Sequence, residues 1–275
     1  MARTDAVTAP QAATLEAPVQ PVARTLLWGF ARVFSIIALV VLWEGLAQSG
    51  RFTPFVLPSL SSVIVRIWTD AVSGDLFINT GLTVYRAMVG FLISMVGGIL
   101  IGAAMSRSVI ANWFFDPIVS VGFPMPKIAF LPVVILWLGV YDTSKITIIV
   151  IDCIFPVIAA TLIAMRSVEK ELIWSARNMG ANRLRMLWDV VLPSAMPELL
   201  NGIRTALALA FILLVSSELI VAREGLGYLI GFLGANGSYD AMYAVVLTVA
   251  FLGFAADRGY QMLMNRMLQW REQTP

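Results

Sequence analysis

Long apolar runs, each about the width of a bilayer, alternate along this chain with short polar breaks. Six are legible, over residues 26–47, 80–105, 117–140, 144–165, 199–222 and 241–264. About 20 apolar residues in a helix cross roughly 30 Å of hydrocarbon, so each run predicts a transmembrane helix. Residues 1–24, rich in Ala, Thr, Pro and Gln, lack apolar periodicity and predict a disordered tail. The long tail and the poor cleavage site at Ala47-Gln48-Ser49 favour a retained first helix over a signal peptide. The second run holds Gly98-x-x-x-Gly102, a spacing for close helix approach, read as packing within the subunit in preference to a dimer face. After a polar break at 106–116, the third run carries Pro124, Pro126 and Pro132 and predicts a bent or broken helix. Two shorter segments cannot span. Val63–Trp68 is placed at the interface, and the Gly-rich stretch 224–234 is re-entrant or surface-lying.

An even number of spans puts both termini on one side of the membrane. With the termini inside, ten basic residues fall on the cytoplasmic face, among them Arg107, Arg166, Lys170, Arg177, Arg183 and Arg185. Four fall on the other: Arg51, Arg66, Lys145 and Arg223. The excess of positive charge places the termini in the cytoplasm of a multi-pass plasma-membrane protein.

Composition agrees and closes off other classes. The chain is 59% hydrophobic and 13% charged, with a mean hydropathy of +0.84, against about 25% charged in soluble domains. It has no histidine and one cysteine, Cys153, so histidine-based metal or acid–base chemistry and an internal disulfide are excluded. None of Lys127, Lys145 and Lys170 follows a glycine, so there is no phosphate-binding Walker loop. No convergent catalytic set is present, and no basic surface interleaved with aromatics points to nucleic acid.

Residues 171–193 break the apolar pattern. They are basic and amphipathic in pieces, with Gly180 interrupting one helical pattern and Pro193 ending the next. The run Trp174-Ser175-Ala176, three residues, Gly180, nine residues, then Val190-Val191-Leu192-Pro193 resembles the EAA loop of ATP-binding-cassette importer permeases. Three flanking stretches are similar to the nitrate, sulfonate, taurine and bicarbonate branch: Phe55–Ser59, Pro126–Pro132 running on to Trp137-Leu138-Gly139, and Glu224–Tyr228. The resemblance covers roughly residues 55–270. It implies an all-α, six-span type I permease of MetI-like fold, with a coupling loop at 166–198 that seats in a groove of a separate ATPase. It also implies two permease copies, two ATPases that hold the ATP and magnesium, a periplasmic or lipid-anchored binding protein, and a small anion as solute. No catalytic step and no cofactor would then belong to this chain. Ala176 and Gly180 would form the tight turn, with Arg177, Asn178 and Asn182 meeting the ATPase and Leu192-Pro193 closing the motif. The family's glutamate is replaced by Trp174 and its next alanine by Ser175, leaving Glu171 as the nearest acidic substitute. A free-standing secondary transporter or channel is the alternative, but it predicts inverted repeats that the sequence does not display.

Charges within the spans are costly and mark partners or water-filled paths. Counted from the turn at 141–143, Lys127 and Asp152 reach similar depths. They either pair across two helices or line the translocation path. Glu218 is read as an outer-gate residue or as a snorkelling one, and Arg86 and Arg204, near span ends, as snorkelling.

Overall fold

The computed structural model describes residues 22–270, with side chains from residue 34 onward. Its helices, in chain order, are α1 (Val22–Gln48), α2 (Leu60–Ser73), α3 (Asp75–Arg107), α4 (Val109–Gly122), α5 (Leu131–Leu138), α6 (Asp142–Arg166), α7 (Lys170–Asn178), α8 (Arg183–Met186), α9 (Leu192–Val221), α10 (Leu226–Ala235) and α11 (Tyr239–Met267). The tail read at 1–24 lies outside the described residues except for 22–24, which open α1.

Four described helical runs are long and apolar enough to cross a membrane: α3, α6, the continuous run Arg183–Val221 and α11. A bent pair, Val109–Gly122 with Lys127–Leu138, makes a fifth if counted as one span. The remaining expected span is α1, whose 27 residues reach ~40 Å at the helical rise.

The centre of the fold is α3 against α6, with α9 packed antiparallel to both. Ideal side-chain positions built on Gly90, Gly98 and Gly102 of α3 fall 2.7, 2.6 and 2.7 Å from side-chain atoms of Ile149, Val157 and Thr161 of α6. The offset is the same each time (149 − 90, 157 − 98 and 161 − 102 all give 59), so the two helices run parallel and in register along this contact. Glycine here removes the side chain that would hold the backbones apart, and the Gly98–Gly102 spacing is used within the subunit as expected. Ile148, Ile149, Cys153, Ala206, Ala210 and Leu214 fill the core around this contact. A second apolar cluster, Leu76, Leu226 and Val245, joins α3, α10 and α11.

Three boundaries differ from the sequence reading. The polar break at 106–116 is mostly helix: Ser108 caps α4 by accepting from the Ala111 N–H at 3.2 Å, and the helix runs through Asp116. A good N-cap outweighs the local polarity. The third span is broken outright, with α4 and the Lys127–Leu138 segment meeting at 91°. Pro124 and Pro126 remove two backbone donors at the break, and a short 3-10 turn, Lys127–Phe130, leads into α5. Finally, Pro193 does not end a helix. A π turn at Leu187–Val191 precedes it and the chain continues straight into α9. Widening the helix before a proline relieves the clash of its ring with the preceding turn, so the run survives.

Candidate functional site: the α7–α8 knob and the buried charge pairs

At one end of the bundle, α7 and α8 form a compact knob. Gly180 adopts φ +83°, its N–H donates to the Arg177 carbonyl at 2.9 Å, and the Ala181 N–H donates to the Ala176 carbonyl at 3.0 Å. This pair of bonds is a Schellman closure, for which a left-handed glycine after the helix is the favoured residue. Asn182 then caps the next helix, its Oδ1 accepting from the Arg185 N–H at 2.8 Å. The chain therefore passes from α7 to α8 in a few residues, with the carbonyls of Ser175, Ala176 and Arg177 and the Arg185 N–H all bonded.

The expected coupling residues separate by environment. Glu171, Trp174, Ser175, Arg177, Asn178, Gly180 and Asn182 are exposed, whereas Leu192 and Pro193 are half-buried at the start of α9. Ala176 is buried, in the last turn of α7 and not in the reversal itself, to which it contributes its carbonyl. Asn182 commits its oxygen to the cap, which its neighbours do not. The knob also exposes Met179 (79%), Leu184 (68%) and Trp188 (61%). The sequence reading passed over these because only the polar residues between the motif positions drew attention. Large apolar side chains exposed together at a reversal were the available signal.

Six charged side chains of the spans form three pairs among the described residues. Lys127 Nζ lies 3.4 Å from Asp152 Oδ1, donates to the Phe123 carbonyl at 2.8 Å and sits 5.3 Å from the Phe155 ring centroid. The pair expected from matching depths forms, though Lys127 reaches it from the 3-10 turn at the helix break and not from a straight span. Its ammonium also satisfies a carbonyl that the break exposes.

The second pair was not anticipated. Arg86 is 3% exposed and Glu218 is fully buried, so neither snorkels. Arg86 Nη1 donates to Glu218 Oε1 at 2.7 Å and to the Glu224 carbonyl at 3.0 Å, while Nη2 lies 2.6 Å from Asp142 Oδ1. Glu218 also accepts from the Thr83 hydroxyl at 2.9 Å and from the Gly227 N–H at 3.1 Å. The residues Glu224–Tyr228 thus have a structural reason: Gly225 N–H donates to Asn79 Oδ1 at 2.6 Å and Leu226 N–H to Thr83 Oγ1 at 2.9 Å. The N-terminus of α10 is capped by side chains of α3 and α9. A side chain on Gly225 would overlap the Glu218 carboxylate.

Arg204, also read as snorkelling, instead makes a two-pronged bond to Asp257 of α11, at 2.6 and 2.9 Å. The Phe55–Ser59 stretch is likewise a junction. Trp43 Nε1 donates to the Pro58 carbonyl at 3.0 Å, Tyr243 Oη donates to that of Val56 at 3.0 Å, and Glu44 Oε2 accepts from the Leu60 N–H at 2.7 Å. No group of His, Cys, Asp and Glu suited to a metal ion occurs among the described residues.

Comparison with known proteins agrees with this architecture. Residues 94–269 match the family described as binding-protein-dependent transport system inner membrane component. The chain is 30% identical over 241 residues to the taurine transport system permease protein TauC of Escherichia coli (strain K12), covering 86% of this chain and 88% of that one. It is 33% identical over 238 residues to the riboflavin transport system permease protein RibX of Chloroflexus aurantiacus (strain ATCC 29366 / DSM 635 / J-10-fl), covering 86% and 88%. Its fold resembles a chain of the inward-facing MetNI methionine ABC transporter, with a TM-score of 0.60 at 20% identity over 70% of this chain and 96% of that one. With the spans, the knob and its offsets in place, the chain belongs to the inner-membrane permease components of binding-protein-dependent transport systems.

Proposed function

We propose that this permease imports a small organic sulfonate, driven by a separate cassette ATPase that docks on the α7–α8 knob. The knob's geometry carries the reading. A left-handed glycine and a side-chain cap fix a short reversal, and it presents Trp174, Met179 and Leu184 together with Arg177 and Asn178. Apolar and aromatic anchors with a polar rim are what a protein groove recognises. Glu171 supplies the acidic charge that Trp174 does not. The working assembly is two copies of this chain, two ATPases holding ATP and magnesium, and a solute-binding protein on the opposite face. The termini and the knob lie in the cytoplasm. Lys127 and Asp152 border the translocation path, and Glu218 holds its outer end in shape.

Similarity to the taurine permease supports the sulfonate reading. Comparable identity to a riboflavin permease supports a second one, an uncharged aromatic solute. Reconstitution of the permease with its ATPase and binding protein in proteoliposomes decides both points. ATP-dependent uptake of labelled ethanesulfonate is expected only from the complete complex. Uptake by the permease alone would overturn the coupling assignment, and uptake of riboflavin in place of ethanesulfonate would overturn the substrate.

A further inference from the structure

A pocket of about 720 Å³ opens beside the Arg86–Glu218 pair, at the end of the bundle opposite the knob. Lys145 forms its inner wall. It is 3% exposed, and its ammonium donates to the carbonyls of Val140 at 3.0 Å and Tyr141 at 3.4 Å. Unlike Arg86, which two carboxylates bind, Lys145 makes no ion pair within 4.0 Å among the described residues. Asp142, Glu218 and Glu224 act on this ammonium only from beyond ion-pair distance and Arg86 opposes them, so its charge stays incompletely answered. Arg223 and Glu224 stand exposed at the rim, and among the described residues neither side chain has a hydrogen-bond or ion-pair partner.

The charges around the pocket balance. Arg86, Lys145 and Arg223 face Asp142, Glu224 and the Glu218 behind Arg86. A lone anion would leave the pocket net negative and a lone cation would leave it net positive, whereas a ligand carrying both signs keeps the balance in a partly desolvated site. Arg86, Asp142 and Glu218 are already bound to one another. The groups free to meet a ligand are therefore a cation pair, Lys145 and Arg223, and one carboxylate, Glu224. We propose that this pocket is an entry site for a small aminosulfonate zwitterion, its sulfonate set against Lys145 and Arg223 and its ammonium turned to Glu224. The inference rests on the sulfonate reading above and deepens it by placing a binding site on the permease itself.

Saturation-transfer NMR on the full chain in phosphatidylcholine nanodiscs tests this with three probes of one size: 2-aminoethanesulfonate, ethanesulfonate and ethylammonium. The zwitterion is expected to bind about tenfold more tightly than either single ion, and Lys145→Met to weaken it by about tenfold or more, the range for losing a charged hydrogen-bond partner. Lys145→Arg should retain binding, and Glu224→Gln should lower 2-aminoethanesulfonate to the level of ethanesulfonate. Equal binding of the three probes, or wild-type binding by Lys145→Met, overturns the proposal. Should Lys145→Met not elute as a folded species, Glu224→Gln and Arg223→Gln at the rim carry the test, and wild-type binding by both overturns it. Binding to the permease alone needs neither ATPase nor binding protein. Its loss alongside intact ethanesulfonate uptake therefore sinks this inference only, and absent uptake alongside intact binding sinks the transport reading only.

Discussion

Arg86 shows how much one side chain organises at the residue scale. Its guanidinium bridges Glu218 and Asp142, and through Glu218 it reaches Thr83 and the start of α10. Removing one partner of a buried pair strands the other, at about 3–5 kcal/mol. Arg86→Met should therefore lower the thermal midpoint of the detergent-solubilised protein sharply, and Arg86→Met with Glu218→Met should recover part of the loss. A double variant no more stable than the single one would show that the pair does not carry this energy. At Gly98 the problem is space. A new side chain would meet Val157 at 2.6 Å, and overpacking of a filled contact costs about 1–3 kcal/mol. Gly98→Ala should be destabilised by about that amount in the same melt, whereas Gly253→Ala, with nothing within 4 Å of its added Cβ, should not.

At the scale of elements, two breaks in helical continuity do different work. The α4–α5 break is pinned by Lys127, which binds both Asp152 and the Phe123 carbonyl. A double-mutant cycle of Lys127→Met and Asp152→Asn, read as uptake rate and as thermal midpoint, should show coupling of about 1 kcal/mol or more. Strictly additive effects would mean that the contact carries no energy. At the knob, the left-handed Gly180 costs a β-branched residue roughly 1–2 kcal/mol of strain. Gly180→Val should loosen the reversal and reduce co-purification of the ATPase while leaving the bundle folded. Undiminished co-purification would move the docking site elsewhere.

At the scale of the whole molecule, four of the six expected spans, and a fifth as a bent pair, were legible because a bilayer demands long apolar runs, and the knob because its glycine and proline sit at recognisable offsets. The charge pairs were less so. Arg86 and Glu218 lie 132 residues apart, and Arg204 and Asp257 lie 53 apart. Which residues face each other depends on helix register, which no local pattern encodes, so position near a span end was read as snorkelling. The π turn was hidden for a related reason, since Pro193 looks the same in sequence whether a helix stops or widens to accommodate it. Orientation is testable in a Cys153→Ser background. A membrane-impermeant maleimide added to intact cells should label Thr143→Cys and spare Asn182→Cys, and the reverse pattern would invert the topology.

The continuous run Arg183–Val221 spans 39 residues, ~58 Å at the helical rise. One rod therefore joins the turn after Gly180 to Glu218 at the far end, with no loop between them. A displacement applied at the knob would therefore be carried to the Arg86–Glu218 junction along this one helical run. The π turn at Leu187–Val191 and Pro197 are its irregularities, both close to the driven end. Both lie between the knob and the long arm, so a stroke reaches the far end only as far as these two points stay stiff. With an ATPase docked on the knob as proposed, the far end of this run is the junction where α3, α6, α9 and α10 are tied together.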